Sequence, residues 1–311
     1  MKITIVGAGN VGATCATVIA EKEICNHIVL VDVQKGLAEG KALDMEQTAP
    51  LARYTTKING VTDDYEATKG SSIVIITSGL PRKPGMTRED LIQTNAKIVR
   101  TVTQNSLKYS PNAIFIIVSN PLDVMAYCAY MTANIDPRKV VGMAGMLDTA
   151  RYKKFLADEL DCSSKDIMAI TLGGHGDTMV PLPRFTSISG VPVTHLLPKE
   201  KLDEIIDRTR FGGGEIVNLL GTSAWYAPGY AAAKMAVAIA KNQRRFEPVS
   251  AYLQGEFGYK DIYFGVPAKL GRQGIEQIME IELNDEERAM VDVSAGKVKE
   301  SIDVLKGLNI L

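Results

Sequence analysis

The run Ile3-Thr4-Ile5-Val6 passes directly into Gly7-Ala8-Gly9-Asn10-Val11-Gly12, and a helical pattern continues to about residue 20. Few short segments restrict a fold as tightly. A β-rich run that ends in GxGxxG and opens a helix must turn sharply. Gly7 permits the turn, Gly9 lets a ligand approach the backbone, and Gly12 lets the helix pack close against the strand. Free N–H groups and a partial positive charge at the helix start suit a pyrophosphate, with Ala8, Asn10 and Val11 in the same turn expected to line it. Twenty residues after Gly12, Asp32 closes a second β-rich run. A carboxylate at that offset accepts hydrogen bonds from a ribose diol and repels a 2′-phosphate, so the pattern predicts NAD in preference to NADP. The alternative is a strand-end turn residue with no ligand.

Short apolar runs at 3–6, 28–31, 73–77, 114–118 and 140–143 alternate with longer helical patterns. That rhythm belongs to βαβ units on a parallel sheet. The runs are apolar throughout, as in strands covered by helices on both faces. After about residue 145 the rhythm changes. Helical patterns at 146–160, 199–220 and 231–242 surround a strand-like stretch at 167–172, and short β runs between 249 and 278 are punctuated by Gly255, Gly258, Gly265, Pro267, Gly271 and Gly274. These read as an antiparallel meander. Asn284 followed by Glu287 forms an N-cap and N3 pair that opens a last helix to about Lys306. The predicted class is α/β: a Rossmann-type doubly wound parallel sheet over 1–143, then an α+β domain with antiparallel strands over 144–311. A chain of 311 residues exceeds what one core usually supports.

With 35 basic and 36 acidic residues the net charge is −1, which supplies no field to draw the chain to nucleic acid or membrane. No run approaches the ~18 apolar residues of a membrane span. The opening Met1-Lys2-Ile3 leaves no room for a leader, so no signal peptide is expected. Cys15, Cys25, Cys128 and Cys162 are scattered without a CxxC pair and are expected to be reduced, mostly buried thiols of a cytoplasmic protein. No metal is expected.

Two stretches carry the candidate chemistry. Residues 80–90 (Leu-Pro-Arg-Lys-Pro-Gly-Met-Thr-Arg-Glu-Asp) hold Arg82, Lys83 and Arg88 among two prolines and a glycine, so an irregular loop is expected. In isolation such a loop is a solvated basic surface. As a mobile element it suits a small anion, because a guanidinium grips a carboxylate through two hydrogen bonds. Gly173-Gly174-His175-Gly176-Asp177 follows a strand-like run and holds one of three histidines in the chain. Glycines on both sides leave His175 accessible, and histidine is the side chain best matched to proton transfer near neutral pH. His27 and His195 read as structural. Asp148 and Arg151 stand at i and i+3 on one helix face. They are either a surface ion pair or a working pair, in which Asp148 orients the imidazole of His175 and Arg151 clamps a substrate carboxylate.

Gly7 to Gly12, Asp32, the loop around Arg82 and Arg88, Ser119-Asn120-Pro121, Leu147-Asp148-Thr149-Ala150-Arg151 and Gly174-His175-Gly176-Asp177 occur in the order and spacing of the lactate and malate dehydrogenases. The chain resembles that family over essentially its whole length. The resemblance implies an NAD-dependent 2-hydroxy acid dehydrogenase in which His175 accepts the proton during alcohol oxidation, with Asp148 as its partner. It further implies that Arg151 grips the C1 carboxylate, that Arg88 polarises the reacting carbonyl as the loop closes, and that Asn120 contacts substrate and nicotinamide. Asn95, Val118 and Ser119 match cofactor-contacting positions. Ser223 matches a substrate-pocket position, although Thr222 is adjacent. Malate-specific members resemble this chain in carrying arginine at the position of Arg82, where lactate-specific members carry glutamine, so malate and oxaloacetate are the implied substrates. A lactate-specific enzyme, an NAD-dependent glycosidase and a non-catalytic NAD sensor are the rivals. Relatives form dimers and tetramers, and a homotetramer is expected here, with a homodimer as the alternative.

The prediction that follows from Asp32 is a strong preference for NADH over NADPH in turnover. A preference for NADPH in a side-by-side rate comparison would remove the ribose-binding role from this carboxylate.

Overall fold

Isoleucine and valine, stiff and branched, fill both faces of a covered sheet. In the computed structural model, which describes residues 1–81 and 86–311, the first half forms β1 (Lys2–Val6), β2 (His27–Asp32), β3 (Lys57–Thr62), β4 (Ile73–Ile76), β5 (Ile114–Ile117) and β6 (Val140–Gly142). These strands pair in parallel in the order β3-β2-β1-β4-β5-β6. Helices α1 (Asn10–Glu21), α2 (Leu37–Ala52), α3 (Arg88–Tyr109) and α4 (Leu122–Ala133) lie between them in the chain. The strand order reverses between β1 and β4, and the crevice at the carboxyl ends of those strands is where open α/β sheets bind ligands. All four residues of β4 are at most 1 % exposed; burying each such side chain stabilises the fold by about 1.5–3 kcal/mol relative to leaving it in water.

Strand β3 carries no apolar run to announce it. Its sequence KINGVT is half-exposed at the sheet edge, and Gly60 is needed because a Cβ there would stand 2.1 Å from the Ala38 carbonyl oxygen of α2. Of the stretch expected as a loop over 80–90, Arg88, Glu89 and Asp90 are helical. α3 begins at Arg88 because Thr87 and Asp90 form a reciprocal capping box: Asp90 N–H donates to Thr87 Oγ1 at 3.1 Å, and Thr87 N–H donates to Asp90 Oδ2 at 3.1 Å. Arg88 is therefore a residue of a first helical turn, not of a loop.

The second half comprises α5 (Gly145–Glu159), β7 (Ile167–Met168), β8 (Thr171–Leu172), β9 (Val180–Pro181), β10 (Ser187–Ile188), β11 (Val191–Pro192), α6 (Lys199–Leu220), α7 (Tyr226–Ala240), β12 (Arg245–Gln254), β13 (Lys260–Gly271), β14 (Gly274–Ile278) and α8 (Asp285–Gly307). The strand expected over 167–172 divides into β7, which pairs with β10, and β8, which pairs with β9. Strands β12 to β14 form the expected antiparallel meander, but it does not stand apart. β12 pairs antiparallel with β6 through Ser250 and Gly142, so one sheet of nine strands runs β14-β13-β12-β6-β5-β4-β1-β2-β3. A Cβ on Gly142 would meet Ser250 Cβ at 2.7 Å, so glycine at the end of β6 admits the crossing. One buried cluster runs from Ile3 and Ile5 through Phe115 and Val141 to Val249, Phe264 and Ile302. A smaller one, with Tyr152, Leu156, Ile167 and Leu202, fills the space beneath α5 and α6.

Among the described residues no helix is long and apolar enough to cross a membrane. The four cysteines are free; Cys15, Cys25 and Cys128 are buried, and burial pushes the Cys25 and Cys128 thiols up to about 11.

The cap of α8 matches its expected form: Glu287 N–H donates to Asn284 Oδ1 at 2.8 Å and Asn284 N–H donates to Glu287 Oε2 at 3.0 Å. Asn284→Ala removes one acceptor and should cost about 1 kcal/mol, seen as a melting temperature lowered by roughly 2–4 °C in calorimetry. An unchanged melting temperature would mean that α8 is held by packing alone.

Candidate active site

The turn after β1 is built by exclusion. Gly7 has φ +107°, and a Cβ on it would stand 2.6 Å from Thr77 Oγ1. A Cβ on Gly12 would lie 1.9 Å from the Gly7 carbonyl oxygen, whereas one on Gly9 would meet nothing within 4 Å. Two glycines thus pack the turn against strand and helix, and the third faces open space. Gly9 caps α1 without a side-chain hydrogen bond, so the helix start offers backbone N–H groups outward. Asp32 stands beside this turn: its Oδ2 accepts from Ala8 N–H at 2.6 Å and its Oδ1 from Gln34 N–H at 2.9 Å. Each oxygen keeps a lone pair, enough for a ribose diol. This cradle fits a dinucleotide.

Across the switch point, Val118 and Ser119 are buried and Asn120 is exposed at the carboxyl end of β5, ahead of a cis Asn120–Pro121 bond. The Ser119 hydroxyl donates to the Ser78 carbonyl. Asn95, 1 % exposed, brackets two loops: its Oδ1 accepts from Leu80 N–H at 2.8 Å, and its Nδ2 donates to Leu80 O at 3.1 Å and Asn120 O at 2.7 Å. Its amide is fully engaged with backbone, and what it presents to the crevice is the position of those loops.

His175 and Asp148, 27 residues apart in the chain, meet. The His175 Nδ1–H donates to Asp148 Oδ2 at 2.8 Å, which leaves Nε2 free to accept a proton. The second oxygen, Oδ1, accepts from Arg151 Nη1 at 3.4 Å. Exposure of the three side chains is 15 %, 2 % and 16 % for His175, Asp148 and Arg151, so this is a part-buried ionic triad built on a buried carboxylate and not a surface pair. α6 passes over Arg151 at Gly212-Gly213-Gly214, where a Cβ on Gly213 would lie 3.7 Å from Nη2. Burial works against a charged His175, but the charge and hydrogen bond of Asp148, aided by Asp123, outweigh it and hold the imidazole above the ordinary histidine range. Arg88 lines the same cleft as His175, together with Pro121, Asp123, Asp177 and Lys297. The arrangement holds an oriented base beside two guanidinium groups, which is what proton transfer on a small carboxylic acid requires.

Two site residues are placed elsewhere or not described. Ser223 is exposed in the link between α6 and α7, and it is not among the described residues that line the His175 cleft. Arg82 lies outside the described residues. Among the described residues no cluster of histidine, cysteine and carboxylate side chains could hold a metal ion. Asp123 and Ser294 went unread in the sequence although they hold the His175 loop: His175 N–H donates to Asp123 Oδ2 at 2.8 Å and Gly174 N–H to Ser294 Oγ at 2.9 Å. The one available signal was a carboxylate inside the apolar stretch Leu122-Asp123-Val124-Met125-Ala126.

Residues 1–142 match the model of the lactate/malate dehydrogenase NAD binding domain, and residues 145–308 match that of the lactate/malate dehydrogenase alpha/beta C-terminal domain. The chain belongs to the lactate/malate dehydrogenase family. It is 60 % identical over 308 residues, 99 % of each chain, to a malate dehydrogenase of Cytophaga hutchinsonii. A solved malate dehydrogenase of Salinibacter ruber superposes with a TM-score of 0.95 at 47 % identity, covering 99 % of this chain and 98 % of that one. A lactate dehydrogenase of Cryptosporidium parvum, solved with lactic acid and NAD, superposes with a TM-score of 0.94 at 36 % identity, covering 98 % of each. Family membership thus brings an NAD-binding half and an oxidoreductase acting on a CH–OH group. Backbone likeness extends to both members of the family's name, so the choice of acid is a matter of side chains.

Proposed function

We propose that this chain catalyses the reversible oxidation of (S)-malate to oxaloacetate with NAD. The observation that carries the reading is the Asp148 carboxylate shared between His175 and Arg151. In malate oxidation neutral His175 takes the hydroxyl proton at Nε2, while Asp148 holds Nδ1–H and stabilises the imidazolium that forms. Arg151 pairs with the C1 carboxylate and so fixes the reacting carbon. Arg88 donates to the oxygen on C2 and stabilises the negative charge that gathers there. Asn120 contacts substrate and nicotinamide, and Ser223 completes the pocket when the cleft closes. NAD, when bound, supplies the hydride acceptor. Gly7, Ala8, Gly9, Asn10, Val11 and Gly12 hold its phosphates, Asp32 its ribose, and Val118, Ser119 and Asn120 its nicotinamide end, with Asn95 acting there through the two loops it positions. In this reading residues 1–143 bind the nucleotide and residues 144–311 the acid.

Malate is favoured over lactate by Arg82 and by the names of the most similar relatives. Oxaloacetate carries a second carboxylate, which a closed and water-poor site would strand without a cation; breaking such a buried pair costs about 3–5 kcal/mol. Closure of the segment carrying Arg82 over the acid would exclude water and complete the site.

The proposed assembly is a homotetramer, with a homodimer as the smaller alternative, and exposed Leu43 and Leu51 on α2 with Leu219, Leu220, Tyr226 and Tyr230 at the α6–α7 junction supply apolar surface for it. Four free cysteines support a cytoplasmic location.

An NADH absorbance assay with oxaloacetate and pyruvate side by side tests the reaction. Oxaloacetate should be the efficient substrate, and Arg82→Gln should lower its kcat/KM by about 10²–10⁴ and raise pyruvate use. Equal selectivity in variant and wild type would place specificity elsewhere.

A further inference from the structure

Three successive N–H groups anchor the loop that carries His175, each to a different element. Gly173 donates to the Gly265 carbonyl of β13 at 3.0 Å, Gly174 to Ser294 Oγ of α8 at 2.9 Å, and His175 to Asp123 Oδ2 of α4 at 2.8 Å. Two of these acceptors are neutral. The third is a carboxylate only 5 % exposed. Packing gives no reason for it, since an apolar side chain in α4 would fill the space without the cost of burying a charge. Its second oxygen is also engaged: Ser250 Oγ donates to Oδ1 at 2.7 Å, from the residue through which β12 joins β6. Gly174 makes room for the arrangement, because a Cβ there would stand 2.4 Å from Val298 Cγ2 and 3.4 Å from Asp123 Oδ2.

We propose that Asp123 is a positioning residue of the reaction, fixing the backbone of His175 and adding to Asp148 a second buried negative charge that favours the protonated imidazole. This deepens the function proposed above and rests on His175 carrying the proton. Among the described residues, the charged and titratable groups around the imidazole are Asp148 and Arg151 on α5, Asp123 on α4, Arg88 on α3, Lys297 on α8 and Asp177 beyond the loop. Burial opposes the imidazolium, Asp148 overcomes that opposition, Asp123 acts in the same direction as Asp148, and Arg151 opposes both. For Asp123 itself burial, with the Asp148 charge acting in the same direction, holds the carboxyl above the usual carboxylate range, although the Ser250 hydroxyl, the His175 N–H and the His175 charge pull it down. Opposite charges on the two groups favour each other: a proton on His175 favours an ionised Asp123, and the reverse.

Asp123→Asn tests the charge while keeping an oxygen for the His175 N–H and nearly the same shape. The readout is the NMR titration of the His175 ring in the full-length chain without ligands, its resonance assigned by its disappearance in His175→Asn. The midpoint should lie above the usual ~6.5 in wild type and fall by at least about half a pH unit in Asp123→Asn. Malate oxidation needs neutral His175, so the acid limb of its kcat/KM profile should move to lower pH. Oxaloacetate reduction needs the imidazolium, so its alkaline decline should begin sooner. Ser250→Ala withdraws one donor from the carboxylate, disfavours its ionised form, and should shift the midpoint the same way by less. NADH affinity should stay within about twofold in both variants, since neither touches the cradle around Gly9 and Asp32. An unchanged midpoint in folded Asp123→Asn, with an active wild type, overturns this proposal alone. A wild type inactive towards oxaloacetate overturns the functional reading and Asp123's part in it.

Discussion

Where the imidazole of His175 stands is decided by backbone, through the consecutive N–H groups of residues 173–175. Their acceptors belong to β13, α8 and α4, elements that lie far apart in the chain. α4 follows β5 of the parallel half, β13 is the middle strand of the antiparallel hairpins, and α8 is the final helix. No part of the chain holds the loop alone. A nine-stranded sheet that joins the two halves edge to edge through Gly142 and Ser250 is what brings those acceptors to one place. The same Ser250 reaches the Asp123 carboxylate with its hydroxyl, so the joint between the halves and the seat of the loop share a residue.

Much of the framework was legible in the sequence because it depends on local chemistry. Unbroken apolar runs mark strands covered on both faces, the Gly7–Gly12 spacing dictates a packed turn, and the Asn284–Glu287 pair announces α8. What escaped has physical reasons. β3 is half-exposed at an edge and contains Asn59 and Gly60, so no apolar run marks it. The start of α3 was written in Thr87 and Asp90, but the neighbouring prolines and glycine suggested a longer loop. The meeting of Asp148 with His175, 27 residues apart, was implied by the family resemblance although no periodicity reports it, whereas that of Gly174 with Ser294, 120 residues apart, had no such guide. Asp123 left a faint mark as a charge in an apolar helix, readable only once the loop it holds has been found.

The site balances charges against burial. A histidine 15 % exposed would ordinarily be kept neutral by its surroundings, yet Asp148 at 2.8 Å stabilises the charged form, and Arg151, on the other oxygen of that carboxylate, limits the effect. In the proposed reaction that balance suits a group that gains a proton in one direction and loses it in the other. The cradle around Gly9 and Asp32 is independent of it, since its contacts lie in α1, β2 and the turn after β1. In the proposed function, holding the nucleotide and moving the proton are therefore separable tasks on one sheet.

Replacing His175 by asparagine tests that separation, with NADH binding followed by fluorescence and oxaloacetate-dependent oxidation by absorbance on the same preparation. Turnover should fall by about 10²–10⁴ or more while NADH affinity stays close to that of wild type. Turnover near the wild-type rate, or a loss of NADH binding as large as the loss of turnover, would contradict it.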